Sequence, residues 1–203
     1  MEQLRLEWLD HYEGIHQKNP LTVYAHPNVM ADLDGIRSKF GPILAYYESM
    51  GLIRRQAVAD GEPDDQRSFM LGDVKISLVL VPKEKAVSVF VFEVDGKKAI
   101  YAPCDCKPFP ESELFFDADV LIMGNTVLGE VLKNERTLTV DHPLRKELHL
   151  FPDALSLRDK YRIKRLVMCH IEEIWGKSYD DYRAWEQELD NVQFAYDGME
   201  IVL

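Results

Sequence analysis

Two apolar runs in this 203-residue chain each end on a side chain that can bind a metal ion. Lys98-Ala99-Ile100-Tyr101-Ala102-Pro103-Cys104 leads into Asp105, and Arg165-Leu166-Val167-Met168-Cys169 leads into His170. Short apolar runs of this kind read as buried strands. In layered α/β proteins, sites are built at the carboxyl ends of strands. A carboxylate and an imidazole that each end such a strand make half of a metal site. Three cysteines lie beside them, Cys104, Cys106 and Cys169. Three thiols, an imidazole and a carboxylate are enough donors for zinc. Neighbouring residues on a strand face opposite sides, however. Cys104 and Cys106 then point away from Asp105, and Cys169 points away from His170. The thiols are expected as small buried hydrophobes. Structural roles also exist for the two donors. Asp105 can cap a following helix, and His170 can pack against Glu172 or Glu173.

The elements that must position these groups follow from periodicity and turn residues. Positions 2–16 read as a helix stopped by Asn19-Pro20. Leu21 to His26 is β-rich, and a helix is expected from Pro27 to Phe40. A short helix from Ile43 to Met50 is closed by Gly51, and Ile53 to Ala59 is a strand. Residues 60–67 read as loop. Three strands follow, over 74–82, 86–94 and 97–103, with Asp95-Gly96 as a hairpin signal. A short helix is expected within 108–117, a buried strand over 120–124, and loop over 125–150. Then come a helix over 152–161, a strand over 165–170 and a helix over 179–189. A closing hairpin is expected over 192–203, turned at Asp197-Gly198. Strands alternating with helices but interrupted by hairpins predict an α/β mixed sheet with helices packed on it.

Bulk properties narrow the function. The length suits one domain spanning 1–203 with one substantial core. The net charge of -11 disfavours phosphate-backbone binding, which needs excess Lys and Arg, and it disfavours anionic membranes. No stretch approaches the ~20 apolar residues of a membrane span. The first residues lack the basic-then-apolar order of a signal peptide. Few cysteines and no leader predict a cytoplasmic protein. A flavin or nucleotide binder would show a Gly-rich phosphate loop, and none is present.

The order of elements from residue 74 onward, with Tyr-Ala-Pro-Cys-Asp105 and Val-Met-Cys-His170, resembles the metallo-β-lactamase-fold hydrolases. The segment Phe194-Ala195-Tyr196-Asp197-Gly198-Met199-Glu200-Ile201 looks like the terminal hairpin of their phosphodiesterase branch. Leu21 to His26 is similar to the strand before that branch's helical segment. The resemblance implies an αββα sandwich, here incomplete at its N-terminal side. It makes Asp105 and His170 the later metal ligands, for zinc, manganese or iron. It also makes His142 in Asp141-His142-Pro143 a proton donor near the substrate phosphate; a surface-loop histidine is the other reading.

One family feature is missing. The H-x-H-x-D-H motif does not occur. Either Asp10-His11-Tyr12-Glu13-Gly14 is a decayed copy, with Leu6 and Trp8 in place of its first histidines, or the chain begins downstream of the motif. The first reading adds Asp10 and His11 as ligands. The second is preferred, because the residues before Asp10 read as helix and the motif should follow a strand. Lys83 stands near a further family histidine and is a poor ligand while protonated.

The resemblance therefore implies a phosphodiesterase-like hydrolase of small phosphodiester or ester substrates with an incomplete metal site. The alternative is a catalytically inactive scaffold or partner subunit of the same fold. Without a first sheet, the inner face of the strands over 74–94 would be bare, and a homo-oligomer or partner chain is expected to cover it.

Overall fold

The computed structural model describes residues 20–58, 62–84, 86–104, 106–124 and 126–203. The chain divides into two compact units, Met1–Ala59 and Asp60–Leu203. The helix expected over 2–16 falls outside the described residues.

In the first unit, β1 (Leu21–Ala25) pairs in parallel with β4 (Ile53–Ala57). Helix α1 (Pro27–Asp34) starts with Pro at its first turn, where the missing N–H costs nothing. It is six residues shorter than its pattern suggested. The Ser38 hydroxyl accepts from the Phe40 amide at 3.1 Å and donates to the Gly41 carbonyl at 3.4 Å. This turns the chain between two short antiparallel strands, β2 (Arg37–Ser38) and β3 (Gly41–Pro42). Helix α2 (Ile43–Ser49) packs Tyr47 with Leu52 and Ile53. Gly51 ends it at φ +72°, a conformation that favours glycine.

The second unit is built on a mixed sheet of seven strands among the described residues, in the order β11-β10-β9-β8-β7-β6-β5. Its members are β5 (Gln66–Leu71), β6 (Val74–Leu80), β7 (Ser88–Val94), β8 (Lys97–Ala102), β9 (Val120–Gly124), β10 (Leu166–Cys169) and β11 (Val192–Phe194). Strands β5 to β8 run antiparallel and β8 to β11 run parallel. At the β7–β8 turn, Asp95 and Gly96 both adopt positive φ, +50° and +73°. That matches the twist of the flanking strands. Strand β5 was hidden in the sequence by its polar start. It is the sheet's edge, where charge such as Arg67 is suited.

Side-chain alternation gives the sheet two faces. One carries Val79, Val89, Val91, Ile100, Leu121, Met123, Leu166, Met168 and Phe194, all 1 % exposed or less. Helices α4 (Phe151–Lys160) and α5 (Tyr179–Glu186) supply Phe151, Ala154, Tyr182 and Trp185 to this core. The opposite face bears Ile76, Leu78, Phe90, Phe92 and Tyr101. It is not uniformly bare as expected: Ile76 and Leu78 are buried, while Phe90 and Phe92 are half-buried and Tyr101 is 39 % exposed.

The closing hairpin does not form. Residues 199–203 are not a strand. The open edge of β11 is occupied by α5 instead. Glu186 accepts from the Phe194 amide at 2.5 Å, and Arg183 donates to the Phe194 carbonyl at 2.6 Å. With both backbone groups satisfied, no second strand has a place to pair.

Between β8 and β9 the expected helix is a single 3-10 turn, Glu113–Phe115, capped by Ser112. Where loop is expected over 125–150, the described residues include a short helix, α3 (Pro143–Glu147).

Candidate functional site

Four parallel strands end along one edge of the sheet. Ala102, Met123, Met168 and Phe194 stand in one hydrogen-bonded row. Cys104 and His170 each lie two residues beyond that row, on strands separated by β9. They meet over Gly124, the last residue of β9. A Cβ at Gly124 would lie 3.5 Å from the Cys104 amide nitrogen and 3.6 Å from the Pro103 carbonyl carbon. The β8 loop therefore lies directly over the end of β9. It brings the Cys104 Sγ into contact with the His170 Nδ1.

His170 takes φ +50° as the chain leaves β10. Its Nε2 pairs with the Glu172 Oε1 at 3.1 Å, and its side chain is half exposed. With Nε2 donating to Glu172, Nδ1 keeps its lone pair on the side of Cys104. A carboxylate behind one ring nitrogen is the arrangement that orients metal-bound histidines. The donor types at this edge thus fit a metal ion. Among the described residues, no three His, Cys, Asp or Glu side chains converge as a complete metal site.

The expectation for the thiols was partly wrong. Strand alternation ends with β8 at Ala102, so it does not govern Cys104. Only Cys106 is fully buried, and its thiol donates to the Pro103 carbonyl at 2.8 Å. Cys104 and Cys169 are half-buried. Burial raises the Cys169 thiol above its ordinary pKa, and the charge of Cys104 adds to this. Burial also raises the Tyr101 hydroxyl, with Cys169, Cys104 and Cys106 contributing like charge.

The loop that carries Cys104 is anchored from the 142–150 segment. The buried His149 uses Nε2 to donate to the Cys106 carbonyl at 3.2 Å. Lys107 donates to the carbonyls of Arg145 at 2.8 Å and Leu148 at 3.0 Å. Burial holds His149 below the usual imidazole range, opposed by its bond to Cys106. No local pattern in the sequence marks His149 or Lys107 for this role, because their partners are backbone carbonyls distant along the chain.

His142 caps α3, its Nδ1 accepting from the Leu144 amide at 3.3 Å. A neutral imidazole accepting at Nδ1 carries its hydrogen on Nε2. Asp105, Asp10 and His11 lie outside the described residues. Lys83 lies in the β6–β7 turn, half-buried.

No protein-family model matches the chain, and no curated protein matches it in sequence. Solved structures do match. A diphosphatase from the PhnP family superposes with a TM-score of 0.58 at 14 % identity, over 97 % of this chain and 64 % of its own. Zinc-bound PqqB from Methylobacterium extorquens gives 0.60 at 22 % identity, over 96 % and 68 %. The metallo-β-lactamase-fold protein YhfI from Bacillus subtilis gives 0.58 at 13 % identity, over 96 % and 70 %. The chain has the metallo-β-lactamase fold. It spans about two thirds of the length of these proteins, and less than that of the diphosphatase. Within a metallo-β-lactamase fold, the mixed sheet and the strand order of residues 66–194 are accounted for as one layer with its covering helices. No helix among the described residues is long and apolar enough to cross a membrane.

Proposed function

We propose that this chain is a metal-dependent hydrolase of phosphodiesters or related esters, with its site at the carboxyl ends of β8 and β10. The observation that carries the reading is His170, with Glu172 behind one ring nitrogen and the other turned to the β8 loop. In this reading His170 and Asp105 would hold the metal. His142, held by its cap with Nε2 protonated, passes a proton to the leaving oxygen. A bound zinc, manganese or iron ion supplies Lewis-acid polarisation of the phosphoryl group and a water of lowered pKa. Two neighbours of the same fold support the chemistry, one a diphosphatase and one zinc-bound.

Catalytic zinc usually has three protein ligands. Asp105 and His170 fall short of that set, so turnover by this chain alone is expected to be near absent. Asp10 and His11, or a partner chain, would supply further donors. The test is metal content after zinc loading and dialysis. Retained zinc that falls in His170→Ala supports the hydrolase reading, and zinc-free wild type contradicts it. Robust turnover of a phosphodiester dye by the chain alone would show a fuller ligand set than proposed.

A metal-free scaffold of the same fold is the second reading. It is favoured by one observation: both ring nitrogens of His170 are already engaged by protein groups. The same metal measurement separates the two.

A further inference from the structure

We propose that Tyr179 and Tyr196 form a stacking platform at the strand ends beside His170, selecting substrates that carry a planar aromatic ring next to the scissile phosphoryl or ester group. This rests on the hydrolase reading above and names its substrate class.

Local sequence places both rings. Ser178 and Asp181 form a capping box that fixes the start of α5 at Tyr179. The Ser178 amide donates to the Asp181 carboxylate at 2.7 Å, and the Ser178 hydroxyl accepts from the Asp181 amide at 3.3 Å. Arg183 lies one turn further along the same helix face. It donates to the Phe194 carbonyl and pairs with Glu186, which ties this face of α5 to the end of β11. The Ala195 amide donates to the Met168 carbonyl at 2.8 Å, so the chain stays against β10 up to the residue before Tyr196. Tyr196 then leaves the sheet two residues past Phe194, as His170 leaves it two residues past Met168 on the neighbouring strand. The Tyr196 carbonyl accepts from the Met199 amide at 3.0 Å across the Asp197-Gly198 turn.

The two rings meet edge to face, with centroids 5.7 Å apart at 87°. The guanidinium carbon of Arg183 lies 5.2 Å from the Tyr179 ring and 5.3 Å from the Tyr196 ring, a cation–π contact to both. Because Glu186 and the Phe194 carbonyl already engage this guanidinium, it braces the rings rather than capturing a phosphate. The rings nevertheless stay 55 % and 46 % exposed. Aromatic faces that are held in place and open to solvent can stack on a ligand ring at little ordering cost. In a chain of net charge -11, such a handle adds affinity without further positive charge.

The experiment is a ligand-observed NMR titration of the full chain with phenyl phosphate, uridine monophosphate and methyl phosphate. The two aromatic phosphates are expected to bind about threefold to tenfold more tightly than methyl phosphate. Tyr179→Leu and Tyr196→Leu should each reduce that ratio and the double variant should remove it. Tyr196→Phe should keep it, with the far-ultraviolet circular dichroism unchanged throughout. Tighter binding of phenyl phosphate identifies aryl esters as the source of the ring, and tighter binding of uridine monophosphate identifies nucleosides. Equal affinities for the three phosphates, no binding of any, or an aromatic preference that survives in the double variant would overturn the proposal. Zinc retention in the same samples keeps the two readings apart. Zinc-free wild type that still prefers aromatic phosphates removes the metal reading and leaves the platform. Zinc-loaded wild type that binds all three equally removes the platform and leaves the metal reading.

Discussion

At the scale of single residues, His170 is the pivot: Glu172 pairs with its ring, and His149 anchors the loop beside it. Glu172→Gln keeps the size of the side chain but weakens the partner of Nε2. Zinc affinity should fall about tenfold to hundredfold, as for other groups behind metal ligands, and a competition titration with a chromophoric chelator measures it. His149 is a matter of stability. It is buried and neutral in the fold, with its pKa pushed down chiefly by burial. The unfolded chain titrates near pH ~6.5. Below that value, down to the depressed native pKa, the unfolded state binds more protons, so stability is lost as the pH falls. His149→Gln retains a donor for the Cys106 carbonyl. It should flatten the acid side of a Tm-against-pH curve below about pH 6.5; an unchanged slope would refute the assignment. The contact of His170 with Glu172 was among the sequence expectations, and the role of His149 was not. His170 could be nominated because it ends an apolar run. His149 answers to a carbonyl 43 residues away, which no spacing rule reports.

At the scale of elements, the junction of β8, β9 and β10 packs the Pro103–Cys104 segment against Gly124 with room for no more than a small side chain. A methyl group there meets its neighbours at ordinary contact distances, so Gly124→Ala should be tolerated. Gly124→Val should push the Pro103–Cys104 segment away from His170 and weaken metal binding more than it weakens folding. Calorimetric zinc titration beside a thermal melt distinguishes these effects. The parallel ends of β8, β9 and β10 were legible in the sequence because each is a continuous apolar run. The Asp95-Gly96 turn was legible because its two residues tolerate positive φ. Strand β5 was not, since a solvated edge carries a polar pattern like a loop's. The false hairpin over 192–203 had good turn chemistry. Its pairing was prevented by Arg183 and Glu186, which reach the β11 edge from another element. Cys104 was misjudged for a related reason: alternation was extended two residues past the end of its strand.

At the scale of the whole molecule, the aromatic cluster of Phe151, Tyr182, Trp185 and Phe194 joins two helices to the edge of the sheet. Phe194 is 1 % exposed. Phe194→Ala should cost about 3–5 kcal/mol, the usual range for emptying a buried aromatic site, as read by urea unfolding. The fold class could be inferred from the order of strands and helices, and solved structures of 13 to 22 % identity share it. The chemistry was only half legible, since the donors that can be named sit on two strand ends and the remainder do not form a motif. The most direct test of the account is the zinc content of the full chain, measured by mass spectrometry after saturation and exhaustive dialysis, for wild type and His170→Ala side by side. The account predicts zinc retained by the wild type and reduced at least about tenfold in affinity in the variant. Wild-type protein that retains no zinc, or a His170→Ala variant that binds it equally well, would contradict it.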